Sequence, residues 1–333
     1  MVVESFELRA QNLSQQVQAL VAEEIFGSVQ ASQLSPYFHY YSRQCRQIST
    51  MSMHHGQHLP VSNHVKLLDL IKKIRLRTSH ADITQGLMAD HPTCVENVIH
   101  NSIDLAVRLL LMIDVGMFEY AYTGRDTITW KAGTIDDFLG TLDLFTGQPE
   151  LPCEGLKLEA SFNVVDLERF AGFDVQLTTN LADHLLVRED VQRVTIFHHA
   201  TFLQHQREIS TIFPPGFVEE TLQTIALLFP RGDKRVERWY RRKGNRDELD
   251  MSALRCGHAI RHVEKYRFWR DRLVQLKESF DDTKLRTVTQ WWHDRRDGVQ
   301  WWTFWIAIFF TVFFGLVQSI EGALQVYKAY HPT

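Results

Sequence analysis

The sequence predicts a mostly helical α+β protein: a winged-helix-like N-terminal unit, a small α+β unit, a helical stalk and one C-terminal transmembrane helix. Three observations lead there. Apolar residues recur at helical spacing along most of the chain. Alternating apolar runs are confined to short stretches within 117–131 and 156–197. Residues 301–320 read WWTFWIAIFFTVFFGLVQSI, with no ionisable side chain.

Taken in order, Asn12 to Val29 has a helical stripe of Leu13, Val17, Leu20, Val21 and Ile25. Ser32 to Pro60 is rich in Ser, Gln, His and Tyr without a period and reads as a linker or long loop, so 1–61 is a helix plus linker. The winged-helix-like unit spans 62–148. Ser62 is placed to cap a helix with Val65, Leu68, Ile71 and Ile74, and Ser79 to cap a second from Ala81 to Ala89. Thr93, with Glu96 three residues on, has the pattern of a capping box for a third helix ending at Gly116. Met117–Tyr122 and Thr127–Lys131 alternate around Thr123-Gly124-Arg125-Asp126, a hairpin signal. Thr134 then caps a helix to Phe145.

Pro149 to Pro152 marks a boundary, and 149–230 reads as the small α+β unit. Its strands are Leu156–Phe162, Phe173–Leu177 and Val191–Phe197, with helices at Val165–Phe170 and, capped by Asn180, Leu181–Val187. Pro214-Pro215-Gly216 opens a helix from Phe217 to Leu228, which Pro230 stops. Residues 231–300 read as a basic helical juxtamembrane stalk that carries Trp269, Trp291 and Trp292, packs against the body and leads into the bilayer.

The run 301–320 is long enough, at about 1.5 Å per residue, to cross a hydrocarbon core about 30 Å thick. Trp301, Trp302 and Trp305 stand at its front, Phe309, Phe310, Phe313 and Phe314 at its centre, and Tyr327 and Tyr330 behind it, as aromatic belts require. Lys284, Arg286, Arg295 and Arg296 precede it, and only Lys328 follows, which puts the body in the cytosol and the 321–333 tail on the lumenal or exoplasmic side. No signal peptide is read at the start, so the expectation is a tail-anchored, single-pass protein, with an endomembrane such as the ER favoured. Gly315, Ser319 and Ala323, with Gln318 and Gly322 beside them, form a small stripe suited to close helix packing.

The net charge of −4 conceals an asymmetry. Residues 1–230 hold 16 Lys and Arg against 27 Asp and Glu, whereas 231–300 hold 19 against 12. Within Arg231 to Arg246, the cations Arg231, Lys234, Arg235, Arg238, Arg241, Arg242, Lys243 and Arg246 are candidates for anionic-lipid contact, or a solvated helix face with stems laid on Trp239 and Tyr240. The third helix of the winged-helix-like unit carries Glu96 and Asp104 against Arg108, which argues against nucleic acid as partner. Four scattered cysteines, Cys45, Cys94, Cys153 and Cys256, form no CxxC pair and fit a reducing compartment.

Sixteen histidines invite a metal reading. His54, His55 and His58 cluster in the polar region. His258 and His262 sit four apart near Cys256 on an expected helix, without the glutamate of HExxH. His184, His198 and His199, with Asp183 and His205 near, are the set a metal-dependent hydrolase would need to bring together. GxSxG, Walker and GxGxxG motifs are absent, so no catalytic, cofactor-binding or metal residue is assigned.

Four stretches, DLERFAGFDVQLTTNLADHLLV, TIFHHATFL, PPGFVEETLQTIALLFP and the segment Trp301 to Pro332, resemble a family of uncharacterised fungal proteins with one C-terminal membrane span. The resemblance implies membrane residence and a shared fold, and no activity. The expected role is non-enzymatic: a scaffold or interaction protein with a bilayer, a protein partner or a second copy as its contacts. The alternative is the membrane-bound hydrolase built on the His184/His198/His199 cluster.

Overall fold

The computed structural model describes residues 8, 13–27, 30–54, 60–116, 127–209, 212–245, 247–282 and 298–330. It is mostly helical, with one three-stranded sheet.

The N-terminal half is built around one helix. Helices α1 (Gln15–Phe26), α2 (Ser35–His54), α3 (His64–Arg75) and α4 (His80–Asp90) precede α5 (Glu96–Leu111), and α2, α3 and α4 all pack on α5. From Val98 to Leu111, α5 buries most of its side chains, with Asn101 exposed and His100 and Asp104 half-buried. The expected caps hold in part. Ser79 accepts from the Asp82 N–H, whereas Asn63 rather than Ser62 caps α3, and Val65 faces outward. The Thr93 capping box does not form: α5 starts at Glu96 behind Val95, with no side-chain cap. It ends at Met112, in left-handed backbone at φ 53°, four residues before Gly116. Gly116 has a different task. At φ 95° its N–H donates to the Ile128 carbonyl (2.8 Å), and a Cβ there would collide with the Asp104 carboxylate.

The largest correction is α2. The stretch read as a linker is a 20-residue helix that buries Tyr37, Phe38, Tyr40, Tyr41, Cys45 and Ile48. Its tyrosines are core residues with polar tips. Tyr37 Oη donates to the Leu109 carbonyl (2.6 Å) and Tyr40 Oη to that of Arg108 (3.1 Å). The Leu109 carbonyl lies in the last turn of α5, where intrahelical partners run out, while that of Arg108 also accepts from the Met112 N–H. Of the expected hairpin, 117–126 lies outside the described residues, and the second arm is reduced to a single bridge between Ile128 and Val115. Thr134 and Asp137 form a reciprocal capping box for α6 (Ile135–Gly140); the helix expected to reach Phe145 breaks there and resumes as α7 (Asp143–Thr146).

The second half carries the sheet. Helix α8 (Val164–Arg169) leads into β1 (Asp174–Thr178); β2 (Leu186–Arg188) and β3 (Arg193–Phe197) follow. The order is β1-β3-β2, with β1 parallel and β2 antiparallel to β3. Leu156–Phe162 is not a strand, although Lys157 bridges His262 and Leu158 and Phe162 are buried. The helix expected from Leu181 to Val187 is one 3-10 turn, Leu181–Asp183. Leu185 then turns left-handed (φ 57°) and donates its N–H to Thr195, so pairing with β3 overrides the local helical preference.

Helices α9 (Ala200–Ile209) and α10 (Phe217–Leu228) pack together, and α11 (Lys234–Arg242) and α12 (Arg270–Asp282) cover α8 and β2. Residues 231–282 are therefore part of the body rather than a stalk. Two 3-10 turns interrupt them, and Trp239, Tyr240, Tyr266, Trp269 and Phe280 are buried. One contiguous apolar core joins Leu8 to Phe280 across the boundary expected at 149. Trp291 and Trp292 lie outside the described residues. Helix α13 (Gly298–Tyr330) closes the chain described here.

Candidate functional site

The histidines separate into two groups with different duties. His184 follows the 3-10 turn and is completely buried. Its Nδ1 accepts from the Phe197 N–H (3.1 Å), so its Nε2 carries the proton and donates to Thr224 Oγ1 (2.7 Å). Thr224 donates onward to the Thr221 carbonyl. Trp269 meets the imidazole edge to face at 4.7 Å, and its Nε1 donates to Thr221 Oγ1. The backbone N–H groups of Arg267 and Trp269 both donate to the Glu220 carboxylate, and Arg272 donates to the carbonyls of Ala182 and His184. Burial, reinforced by the Arg272 charge, lowers the His184 pKa well below the usual imidazole value. Burial likewise raises that of Glu220 despite its N–H donors. This is a satisfied network tying the sheet to α10 and α12, with both imidazole nitrogens in use.

His198 and His199 stand just past the end of β3 and stack on each other at 4.4 Å. His205 lies on α9 against Phe26. The hydrolase trio is thus not assembled: His184 faces Thr224 and Phe197, and among the described residues no group of three His, Cys, Asp or Glu side chains can hold a metal. The His258/His262 pair fails for another reason. These residues lie in irregular chain, so the one-face geometry of a helix does not apply. His54 keeps only its place at the end of α2, and His55 and His58 fall outside the described residues.

His198 and His199 do line a cavity of about 180 Å³. It opens at the carboxyl ends of β1 and β3, the parallel pair, where Leu177 and Thr179 form one wall. Helix α2 forms another with His39, Tyr40, Arg43 and Arg46, residues that recur every three or four positions and so share a face. Lys243 closes a third side. Arg43 donates to Thr179 Oγ1 (2.8 Å), joining the helix wall to the strand wall. Burial, followed by the Arg43 charge, pushes the His198 pKa down to about 4; burial, His198 and Arg43 lower that of His199 well below its usual value. The α2 residues escape a reading of the sequence because Ser32 to Pro60, rich in Ser, Gln, His and Tyr, reads as a linker; the spacing of Pro36, His39, Tyr40 and Arg43 is the available signal.

The basic run divides. Arg235 pairs with Asp166 and Asp233, Arg241 with Glu237, and Lys243 with Glu168 (2.5 Å), while its Nζ also donates to the Val175 carbonyl (2.8 Å). Arg231, Lys234, Arg238 and Arg242 are exposed, and Arg246 lies outside the described residues.

Helix α13 contains one stretch, Trp302–Ala323, long and apolar enough to cross a membrane, with mean hydropathy 1.9 over its most apolar window and none of that window buried. Trp302, Phe309, Phe310, Phe313 and Phe314 are exposed, as are Gly315, Gln318, Ser319, Gly322 and Ala323; Trp305 is half-buried, and Trp301 belongs to the same helix. Phe309 stacks on Phe313 and Phe310 on Phe314 along the helix. No protein-family model, curated protein or solved structure matches this chain.

Proposed function

We propose that this protein is a single-pass membrane protein whose folded body stays on the cytosolic side and serves as a non-enzymatic interaction platform beside the bilayer. The observation that carries the reading is α13: a 22-residue apolar stretch that the body does not cover. A core helix of that composition would be enclosed, because unburied apolar area costs about 25 cal/mol per Å² in water. In lipid the same surface is at home. The basic residues ahead of the span support the cytosolic placement, and so do the four cysteines, all free thiols, two of them buried. The histidine set once open to a hydrolase is divided between a structural network and a cavity wall, which favours binding over catalysis.

Two measurements on the full-length protein in its native host test this. Alkaline carbonate should leave it in the membrane pellet, and protease added outside sealed vesicles should digest the body. Release by carbonate, or a protected body, overturns the reading. Proximity labelling from the anchored body should recover a reproducible set of neighbours; labelling indistinguishable from that of the span alone counts against a platform role.

A further inference from the structure

The cavity at the carboxyl ends of β1 and β3 has a wall chemistry that the platform role does not use. In open sheets with parallel strands, ligands lodge beyond the carboxyl ends of those strands, where the chain leaves the sheet and side chains converge. Here four separated segments meet: α2, the end of β1, the β3–α9 junction and the chain from the end of α11 onward. Among the described residues, the wall holds Arg43, Arg46 and Lys243 against one carboxylate, Glu248. Lys243 is already balanced by Glu168, but Arg43 is held by a neutral hydroxyl. The floor holds two imidazoles that are 5% and 2% exposed, and each retains a nitrogen without a hydrogen-bond partner among the described residues, Nδ1 of His198 and Nε2 of His199. Buried polar atoms are nearly always paired, so two unpaired ones side by side under a cationic rim point to a ligand that supplies oxygen.

We propose that this cavity binds a phosphate group, with Arg43 and Arg46 supplying charge from α2 and the neutral His198–His199 pair, in the tautomers that place the proton on His198 Nδ1 and His199 Nε2, supplying donors from below. The shape of the donor set selects the class. Guanidinium groups match phosphate oxygens in pairs, and donors arriving from several elements suit a tetrahedral anion better than a planar carboxylate. At about 180 Å³ the space falls short of the roughly 300 Å³ at which drug-sized ligand pockets begin, so a single phosphate with a short ester fits and a nucleotide does not. Two sources share that chemistry: a soluble phosphomonoester and the phosphorylated headgroup of a lipid.

The test uses the full chain in neutral detergent, titrated calorimetrically with inorganic phosphate and with glycerol 3-phosphate. A second arm uses the full chain in nanodiscs and vesicles with or without phosphatidylinositol phosphate. Saturable binding in either arm is expected, weakened at least tenfold by Arg43→Gln with Arg46→Gln and also by His199→Gln. Soluble probes alone assign the site to a free ester; capture only by phosphoinositide vesicles assigns it to a headgroup. Arg46→Glu alone is the second variant. It alters one exposed side chain, its folding is checked by circular dichroism, and it should abolish binding. Absence of binding to every probe, or binding that these substitutions leave unchanged, overturns the proposal. Because the calorimetric arm needs no bilayer, it fails or succeeds independently of where α13 resides.

Discussion

Phe217 and Phe309 are the same residue in opposite settings. Phe217 opens α10 and is fully covered by Phe145, Phe213, Phe268 and Trp269; Phe309 lies in α13 and is 64% exposed. Trp269 and Trp302 repeat the contrast, at 0% and 63% exposure. The body sorts its apolar residues by position and hides them from water. The stretch Trp302–Ala323 of the terminal helix is apolar on nearly every face, and none of its most apolar window is buried. A helix hydrophobic on every face is stable only inside a large core or inside lipid, and among the described residues no core encloses it. The difference shows what α13 lacks in the chain itself: a solvent that matches it.

Breaking the lipid side of this comparison should have the largest effect. Phe310→Arg with Phe313→Arg places two charges near the middle of the span, at about 2.5–3.5 kcal/mol each on the insertion scale. The double variant should move most of the protein out of the carbonate-resistant pellet while the body's thermal unfolding stays unchanged; retention in the pellet would contradict a lipid-embedded α13. The body side comes next. Trp269→Ala removes a fully buried ring and leaves Thr221 without its indole donor, a loss of about 3–5 kcal/mol. Urea denaturation followed by body fluorescence should show the fall in midpoint, with membrane partition intact.

The smallest effect sharpens the comparison by pH. His184, His198 and His199 have folded pKa values below the unfolded imidazole value of about 6.5. The unfolded chain therefore takes up protons that the folded body refuses. Stability present above about pH 6.5 is lost as pH falls toward the folded values, by up to about 1.4 kcal/mol per pH unit for each imidazole. Asp104, raised to about 6 by burial, with Glu220 and Asp250 also raised, acts with the opposite sign and flattens the loss at lower pH. The urea midpoint should drop between pH 7 and 6. A flat profile there would mean the imidazoles are not held neutral by burial.

Features marked by local chemistry were legible in the sequence. Pro214-Pro215-Gly216 and Pro230 bracket α10 at the expected residues, Ser79 caps α4, and the uncharged run locates α13. What depends on distant partners was not legible. Helix α2 hid because its core residues are tyrosines, whose hydroxyls read as polar until α5 supplies carbonyls for them. The helix expected at Leu181–Val187 yielded to a strand only because β3 lies beside it. The basic run looked uncompensated because Asp166 and Glu168, which pair with Arg235 and Lys243, lie on α8, far upstream in the chain. The cavity was the least readable feature of all, since its walls come from segments around 40, 178, 198 and 243.

Lys243 also bears on crowding. Strand β1 is an outer strand of the sheet, and the Val175 carbonyl lies on it. An unguarded rim of this kind invites a neighbouring chain to add itself as a further strand. Copies tethered to one surface meet far more often than copies free in solution. With the Lys243 ammonium docked on that oxygen, an approaching backbone would have to displace a cation also held by Glu168 before it could join the ladder. If α13 anchors the chain in a bilayer as proposed above, this one side chain helps molecules concentrated in two dimensions to remain separate.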